Sequence, residues 1–433
     1  METASGTDAT IIATDETATS ASRFGIHVLV ESRTIRRVFA ALAVVTAAIG
    51  TFWCYSVWHD YRTSQYKEAC KTATEEKAWG RLDAASRMWL DWDAASDDAK
   101  VFQAEALMQA GKLEETIALL DTVSPDYHSC LQAWAFQAEI LFTDLNRPLD
   151  AERVWQRMLQ KDEKADLARK QLVYLYSMSL QFEKLTVLLR RGIEIHREPP
   201  ESYTYLILSR ALNFTDGMVV VEKWRKGHPE DETLAVAEAY FFAKNRTSGA
   251  DGIFEKTDVV PGDLKPMNDC LVKYPNNLNV LAFHMEKRSF DGDLEGTERI
   301  LNACPESARA DSRYWKFKAW VERMKGETEA AETSIAKSIE LDPYDWRARW
   351  EQASIHRLLG DRPAAEASTE LASTGKAIEK MLMELPNAQM LTWGNAEQLF
   401  DYAVAIGDSL VVEGLKRILP PELTDEDPGQ ESG

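Results

Sequence analysis

Residues 314–343 read YWKFKAWVERMKGETEAAETSIAKSIELDP, and their small residues recur at a fixed distance elsewhere in the chain. Gly326 lies 34 residues after Gly292 and 34 residues before Gly360. Alanines stand seven residues before and five residues after the last two of these glycines: Ala319, Ala331, Ala353 and Ala365. A fixed period of this length is the sequence signature of a repeat protein, in which each repeat is one small supersecondary unit.

Within one such unit the residue chemistry predicts two antiparallel helices. Glycine readily adopts the left-handed backbone that ends a helix, so each glycine marks the end of a first helix. Small residues let two helices cross closely, and Thr297 takes that place after Gly292. Pro343 ends the second helix, because proline lacks a backbone donor and clashes with the preceding turn. No sustained period-two alternation occurs, so the sequence predicts an all-α fold.

The 34-residue period, the aligned alanines, Trp315 and Pro343 together resemble the tetratricopeptide repeat (TPR) family. The resemblance implies a right-handed superhelical solenoid of antiparallel helix pairs, which binds proteins or peptides in a concave groove. The same template fits two stretches nearer the N-terminus, around Gly111 and around Ala138, the second with one extra residue in its turn. Over residues 60–420 it gives about ten helix pairs.

An uncharged run of 21 residues precedes the repeats: residues 38–58, VFAALAVVTAAIGTFWCYSVW. As a helix this run spans about 30 Å, the thickness of a bilayer's hydrocarbon core. Trp53, Tyr55 and Trp58 cluster at one end, as aromatic residues do at a membrane interface. The run is longer than the apolar core of a signal peptide and ends in bulky side chains. The sequence therefore predicts one transmembrane helix.

The charges beside this run predict its orientation. Arg33, Arg36 and Arg37 precede it, whereas Arg62 follows it with Asp60 nearby. Because cytoplasmic flanks carry the excess of positive charge, the N-terminal side is expected in the cytoplasm. We predict a single-pass membrane protein with its repeat domain on the non-cytoplasmic side, in a periplasm or an organelle lumen.

The other segments are assigned from composition. Residues 1–37 form the cytoplasmic tail, whose Thr-, Ala- and Ser-rich beginning predicts disorder. Residues 245–263 interrupt one repeat as a long loop, which is either functional or a tolerated insertion. Residues 421–433 predict an acidic disordered tail. The predicted order is thus tail, transmembrane helix 38–58, repeat domain 60–420 and acidic tail.

The resemblance also implies which side chains of the first helices face the groove. In the units of Gly326 and Gly360 these positions combine cations with tryptophan: Arg313, Lys316, Trp320, Arg323, Arg347, Trp350 and Arg357. Arginine forms paired hydrogen bonds to carboxylates, and tryptophan offers a large apolar area. The pattern predicts a groove for a protein or peptide rich in carboxylates.

Two other interpretations of these cations stay open. They can balance neighbouring acids of the same chain while the tryptophans pack between repeats, or the acidic segment 422–431 can fill the groove as an internal plug. Equivalent positions nearer the N-terminus are acidic or polar, so the groove is expected to change sign along its length: Asp98, Glu105, Gln132 and Glu139.

The sequence contains no pattern typical of a catalytic, cofactor or metal site. It has no glycine-rich phosphate loop, and its five cysteines do not stand at zinc-ligand spacing. His284 and His356 fall on first helices, where a hydrogen-bonded core or surface histidine is expected. A net charge of −20 argues against general nucleic-acid binding. We therefore expect no enzymatic activity, no cofactor and no nucleic-acid partner.

These observations favour a membrane-anchored scaffold that binds partner proteins or peptides. The alternative is an accessory subunit of a membrane-bound transport or envelope assembly machine, in which the transmembrane helix itself contacts the partner. A span that only tethers tolerates replacement by an unrelated apolar helix, whereas a span that binds does not.

Overall fold

The computed structural model describes residues 33–210, 214, 216–245 and 264–419, and all structural statements refer to these residues. The predicted tail up to residue 32, the predicted loop from residue 246 onward and the acidic tail 421–433 lie outside them. The chain divides between Ala106 and Leu107 into two compact units, which are described separately.

The described residues form twenty α-helices and no β-strand, which confirms the predicted all-α fold. The first ten are α1 (Arg33–Glu75), α2 (Trp79–Trp92), α3 (Asp97–Gln109), α4 (Leu113–Asp121), α5 (Cys130–Glu139), α6 (Pro148–Lys161), α7 (Asp166–Met178), α8 (Phe182–Glu194), α9 (Ser202–Ile207) and α10 (Gly217–Gly227). The others are α11 (Glu232–Asn245), α12 (Lys265–Lys273), α13 (Leu278–Phe290), α14 (Leu294–Ala303), α15 (Ser312–Met324), α16 (Thr328–Leu341), α17 (Trp346–Leu359), α18 (Arg362–Met383), α19 (Trp393–Ile406) and α20 (Ser409–Lys416).

The turns inside the helix pairs carry the repeat period in their backbone conformation. Gly292, Gly326 and Gly360 have φ of 75°, 82° and 77°, as the sequence predicts. Three residues that are not glycine adopt the same left-handed conformation at the equivalent place of earlier pairs: Lys77 (φ 53°), Asn146 (φ 53°) and Leu180 (φ 57°). Together with Gly111 they stand 34, 35 and 34 residues apart, so the period also runs through units that lack the glycine.

The 35-residue interval marks the one extra residue that was expected in a turn, and the structure places it in a helix instead. A single π-helical turn, Ile140–Asp144, continues α5. The turn itself keeps the usual length, because Asn146 is followed by Arg147 and then by α6. The wide helical turn absorbs the insertion, as π-bulges do, and the Arg147 backbone N–H donates to the carbonyl of Leu141 at 2.7 Å.

Small residues lie buried where paired helices cross, as predicted. Ala319 of α15 and Ala331 of α16 have no exposed surface, and they pack with Ile335, Ala348 and Ile355. The same burial holds for Thr297 and for alanines of other pairs: Ala104, Ala138, Ala151, Ala353 and Ala365. A larger side chain at these positions would force the helices apart, because protein cores are close-packed.

In the N-terminal unit, α1 is a single helix of 43 residues that contains the predicted span 38–58. It is long and apolar enough to cross a membrane, and its most apolar part is not buried. Two hydroxyls within that part donate back to the helix, Thr46 to the carbonyl of Leu42 at 2.8 Å and Thr51 to that of Ala48 at 2.9 Å. Both polar groups are thereby satisfied without water. Further along, α1 packs on α2 through Cys70, Leu82 and Trp89.

In the C-terminal unit, the last helix pair contacts a helix that lies far earlier in the sequence. The α19–α20 pair was expected to cap the repeats, and α20 packs directly on α8. Arg190 of α8 and Asp408, which precedes α20, form an ion pair across 218 residues of sequence. This return of the chain is not foreshadowed by the repeat period.

Candidate functional site

The acids that begin α15 and α17 also bind the predicted groove cations. Asp311 caps α15 by accepting from the Arg313 backbone N–H at 2.9 Å, and its carboxylate also accepts from the Arg313 guanidinium at 2.6 Å. Asp345 caps α17 in the same way, and it accepts from Lys316 Nζ at 2.6 Å. The cap and the ion pair therefore share one carboxylate, which fixes each cation against a helix start.

These pairs are largely removed from solvent. The side chains of Arg313 and Lys316 are 15% and 18% exposed, and those of Asp311 and Asp345 are 5% and 7% exposed. Arg323 binds Glu351 in a comparable pair. Such cations are committed within the chain, because breaking a buried pair leaves an uncompensated charge.

The pKa directions of the two capping acids agree with this geometry. Burial pushes the pKa of Asp345 upward, but the charge and hydrogen bond of Lys316 outweigh it, so the pKa lies below its ordinary value. For Asp311, burial is likewise outweighed, here by Arg313 and Arg210, and the pKa is again lowered. Both carboxyls are therefore ionised at neutral pH.

Arg210, which follows α9, also reaches this face of the repeats. Its Nη2 lies 3.6 Å from Asp311 Oδ1, and its Nε lies 3.8 Å from Asp342 Oδ2. The guanidinium stacks over the Phe182 ring, 5.0 Å from its centroid. The predicted basic patch is thus interleaved with buried acids and receives a further cation from another repeat.

The remaining predicted residues are more accessible. Arg347 makes a two-point contact with Glu379 at 2.9 and 3.0 Å and keeps 45% of its side chain exposed. Among the described residues Arg357 has no carboxylate partner, and its Nη2 donates to the Thr369 hydroxyl at 2.8 Å. Trp350 is 49% exposed. Trp320, by contrast, packs against the core of the preceding repeat.

A ladder of exposed apolar side chains lies on the same first helices, and sequence analysis did not identify it. Phe290, Met324 and Leu358 each stand two residues before a left-handed glycine, on α13, α15 and α17. They are 87%, 45% and 61% exposed. We call these three residues the apolar ladder. Its signal in the sequence is the 34-residue spacing of large apolar residues, read one position at a time.

The partner acids could also have been found from the sequence. Each lies nearly one repeat after its cation: Asp345 is 29 residues after Lys316, and Glu379 is 32 residues after Arg347. Glu351 likewise follows Arg323 by 28 residues. An acid at this distance falls on the neighbouring first or second helix, within reach of a long basic side chain.

The acidic positions predicted nearer the N-terminus are also engaged. In the N-terminal unit Asp98 accepts from Lys67 Nζ at 2.7 Å, and Glu105 accepts from the Thr74 hydroxyl at 3.4 Å. Burial raises the pKa of Glu105. Gln132 and Glu139 belong to the other unit, as part of α5.

The histidines and cysteines have structural partners. His284 is buried, its Nε2 lies 3.1 Å from the Met267 carbonyl, and burial lowers its pKa. His356 Nε2 lies 3.0 Å from Glu332. Burial raises the pKa of Cys70 and of Cys304 to about 11, so these thiols stay protonated. In the part of the chain that is described, no group of His, Cys, Asp and Glu has the arrangement of a metal site.

Comparison with known proteins yields similarities of fold. No family model matches the chain, and no curated protein matches it. Among solved structures it is similar to the APC/C hetero-tetramer Cut9–Hcn1, at 13% identity and a TM-score of 0.32, over 82% of this chain and 75% of that one. It is also similar to a tetratricopeptide repeat protein from Parabacteroides merdae ATCC 43184, at 15% identity and a TM-score of 0.27, over 68% of this chain and 98% of that one. A third similarity is to the TPR domain of P58(IPK), at 12% identity and a TM-score of 0.27, over 85% of this chain and all of that one.

Proposed function

We propose that this chain of TPR-like helix pairs is a membrane-tethered scaffold that binds an amphipathic helix of a partner protein along the apolar ladder. The observation that carries the proposal is the exposure of Phe290, Met324 and Leu358 at one repeat position on three consecutive first helices. A monomeric protein has no reason to expose large apolar groups in register, and such patches are typical of interaction sites.

The spacing of the ladder supports a helical partner. Packed helices lie about 8–10 Å apart, so neighbouring residues of the ladder are separated by about that distance. A helix rises about 1.5 Å per residue, so side chains seven residues apart are about 10 Å apart and share one face. A partner helix with apolar residues at heptad spacing therefore presents one side chain to each of α13, α15 and α17.

Charge supports the orientation of that partner. Arg357 directly precedes Leu358 in α17, and Trp350 and Arg347 lie further toward the start of the same helix. Arg357 has no carboxylate partner among the described residues, whereas Arg313, Lys316 and Arg323 are held by acids of the chain. We assign partner contact to Arg347, Trp350 and Arg357 and a structural role to the three held cations and Trp320. A carboxylate of the partner is expected at the α17 end of the ladder.

Tethering rests on α1. Its residues 38–58 are exposed over most of their side chains, including Phe52 at 75% and Trp53 at 68%. Burying that surface in a bilayer removes a large apolar area from water. The interfacial aromatics continue into the folded unit, because the Trp58 ring contacts that of Trp92 edge-on at 4.8 Å.

The experiment is site-specific photo-crosslinking in cells that express the full chain. A photoreactive phenylalanine analogue is placed at Phe290, and the matched control carries it at Val272 on α12. Val272 is 84% exposed, close to the 87% of Phe290, but lies outside the ladder. The proposal expects a discrete protein adduct at position 290 and not at position 272. Mapping the crosslinked peptide then decides between an amphipathic helix and an extended segment.

Leu358→Glu provides the second arm. It should abolish the adduct at position 290 without changing the melting temperature by more than about 1 °C, because exposed substitutions change stability little. Equal adducts at positions 290 and 272, or a crosslinked segment without heptad spacing, would overturn the proposed binding mode. Membrane tethering is tested separately: alkaline extraction should leave the chain in the membrane pellet.

A further inference from the structure

The contact between the C-terminal helix pair and α8–α9 joins parts of the chain that are two hundred residues apart. The backbone approaches closely there: a Cβ added to Gly414 of α20 would lie 2.4 Å from the Tyr203 hydroxyl and 2.8 Å from Ile193 Cγ2. Only a glycine permits this approach. The contact is therefore specific rather than a loose collision of helix ends.

A buried carboxylate lies at the centre of this seam. Asp408 accepts from Arg190 Nη1 at 2.7 Å and from Nη2 at 3.0 Å, and from the Tyr344 hydroxyl at 3.1 Å. Its side chain is 4% exposed. Asp408 also accepts from the Val411 backbone N–H and so caps α20. One side chain thereby joins α8, the turn before α17 and the last helix of the fold.

Two further polar contacts hold the rim. Arg417 donates to the Ile193 carbonyl at 3.0 Å and to Glu198 at 2.6 Å. The Thr204 hydroxyl of α9 donates to the carbonyl of Ala388, which lies in the connection between α18 and α19. The seam is thus held mainly by charged and polar groups at its centre and its edge.

A polar cavity of about 550 Å³ lies behind the seam. Charged side chains from four different helix pairs line it, among them Arg190, Arg210, Asp342, Arg349 and Asp408. A polar cavity of this size holds water, so the seam is a wet interface rather than a dry core. Wet, charged interfaces separate at lower free energy than apolar ones, because the freed groups are readily hydrated.

We infer that the α19–α20 pair is a latch: it closes the repeats onto α8–α9 and detaches as a unit while α13–α18 stay folded. Detachment opens the cavity and frees the face of Arg210 that the closed form shields. The nine residues 384–392 between α18 and α19 supply the length of chain that the movement needs. The latch does not depend on the apolar ladder, so each idea is tested on its own.

Hydrogen exchange measured by mass spectrometry on the full chain in detergent micelles tests the latch. Asp408→Asn removes the central charge and keeps the shape and capping ability of the side chain. The matched control is Glu163→Gln, which removes an exposed ion pair with Arg191 on the same helix α8. The latch predicts at least ten-fold faster exchange in residues 393–416 of Asp408→Asn, and changes below two-fold in residues 278–359. The control should leave both regions unchanged.

Arg417→Ala gives a milder perturbation of the rim, for which we expect a two- to five-fold increase confined to residues 393–416. Raising the salt concentration should act in the same direction, because it weakens the partly exposed pairs. Equal acceleration in residues 278–359 would show that the seam belongs to the cooperative core and would overturn the latch. Global unfolding of Asp408→Asn, or no change in either variant, would overturn it as well.

Discussion

The left-handed turn of the repeat leads to a sharp prediction for Gly326→Ala. Gly326 has φ of 82°, and an added Cβ would meet no heavy atom within 4 Å. Steric clash is therefore excluded, and the backbone conformation alone decides the effect. The left-handed conformation costs an L-residue about 1–2 kcal/mol. Restricting the unfolded chain returns about 0.4–1 kcal/mol, so the net loss of stability is about 1 kcal/mol.

The matched control is Gly394→Ala in α19. An added Cβ there also meets nothing within 4 Å, but Gly394 lies in a helix and outside the left-handed region. The same substitution should therefore stabilise the protein by about 0.5 kcal/mol. In a protein of this size a change of 1 kcal/mol shifts the melting temperature by about 2 °C.

The assay is thermal unfolding of the full chain in detergent micelles, followed by circular dichroism at the helical band. Gly326→Ala should melt about 2 °C lower than the unmodified chain, and Gly394→Ala about 1 °C higher. The reasoning fails if both variants shift in the same direction. It also fails if Lys77→Gly, which relieves the same strain at an exposed position of the N-terminal unit, lowers stability.

Three further predictions concern packing and charge. Lys316→Ala should cost about 3 kcal/mol because it leaves the buried carboxylate of Asp345 unpaired, whereas Arg357→Ala should change stability by less than about 0.5 kcal/mol, and both values follow from denaturant unfolding. The lowered pKa values of Asp311 and Asp345 mean that their contribution to stability is complete above the ordinary carboxyl pKa and is lost as pH falls through the folded-state pKa, so the melting temperature should drop below about pH 4, and in Lys316→Ala the part due to Asp345 should be absent. Ala319→Leu should destabilise the α15–α16 crossing by more than about 2 kcal/mol, measured by the same unfolding assay, because the site has no free space.

The candidate site was only partly predictable. The groove positions of α15 and α17 follow from the repeat period, and the structure places their side chains on neighbouring first helices. Their exposure does not follow, because it depends on acids such as Asp345 that come from the next repeat. Phe290 was not singled out because a lone exposed phenylalanine carries no signal; it gains meaning only beside Met324 and Leu358.

Turn geometry shows the same division. The glycine turns were predictable because glycine alone adopts positive φ without cost. Leu180 adopts φ of 57° although its sequence gives no such indication, and its side chain is 2% exposed. Burial of that leucine compensates for the backbone strain. The π-turn at Ile140–Asp144 was likewise hidden, because a one-residue insertion fits either a turn or a helix until the packing of α5 on α6 is known.

The sequence by itself determined the elements that depend on local chemistry and on a fixed period. These are the helix pairs, the left-handed glycines, the small residues at helix crossings and a helix apolar enough to span a bilayer. The tertiary structure alone decided which charges are buried and how the chain closes. Arg190 and Asp408 are 218 residues apart, and a repeat pattern encodes contacts only between neighbouring repeats. A contact that joins the fourth helix pair to the last depends on the accumulated rotation of all the repeats between them, which no single stretch of sequence specifies.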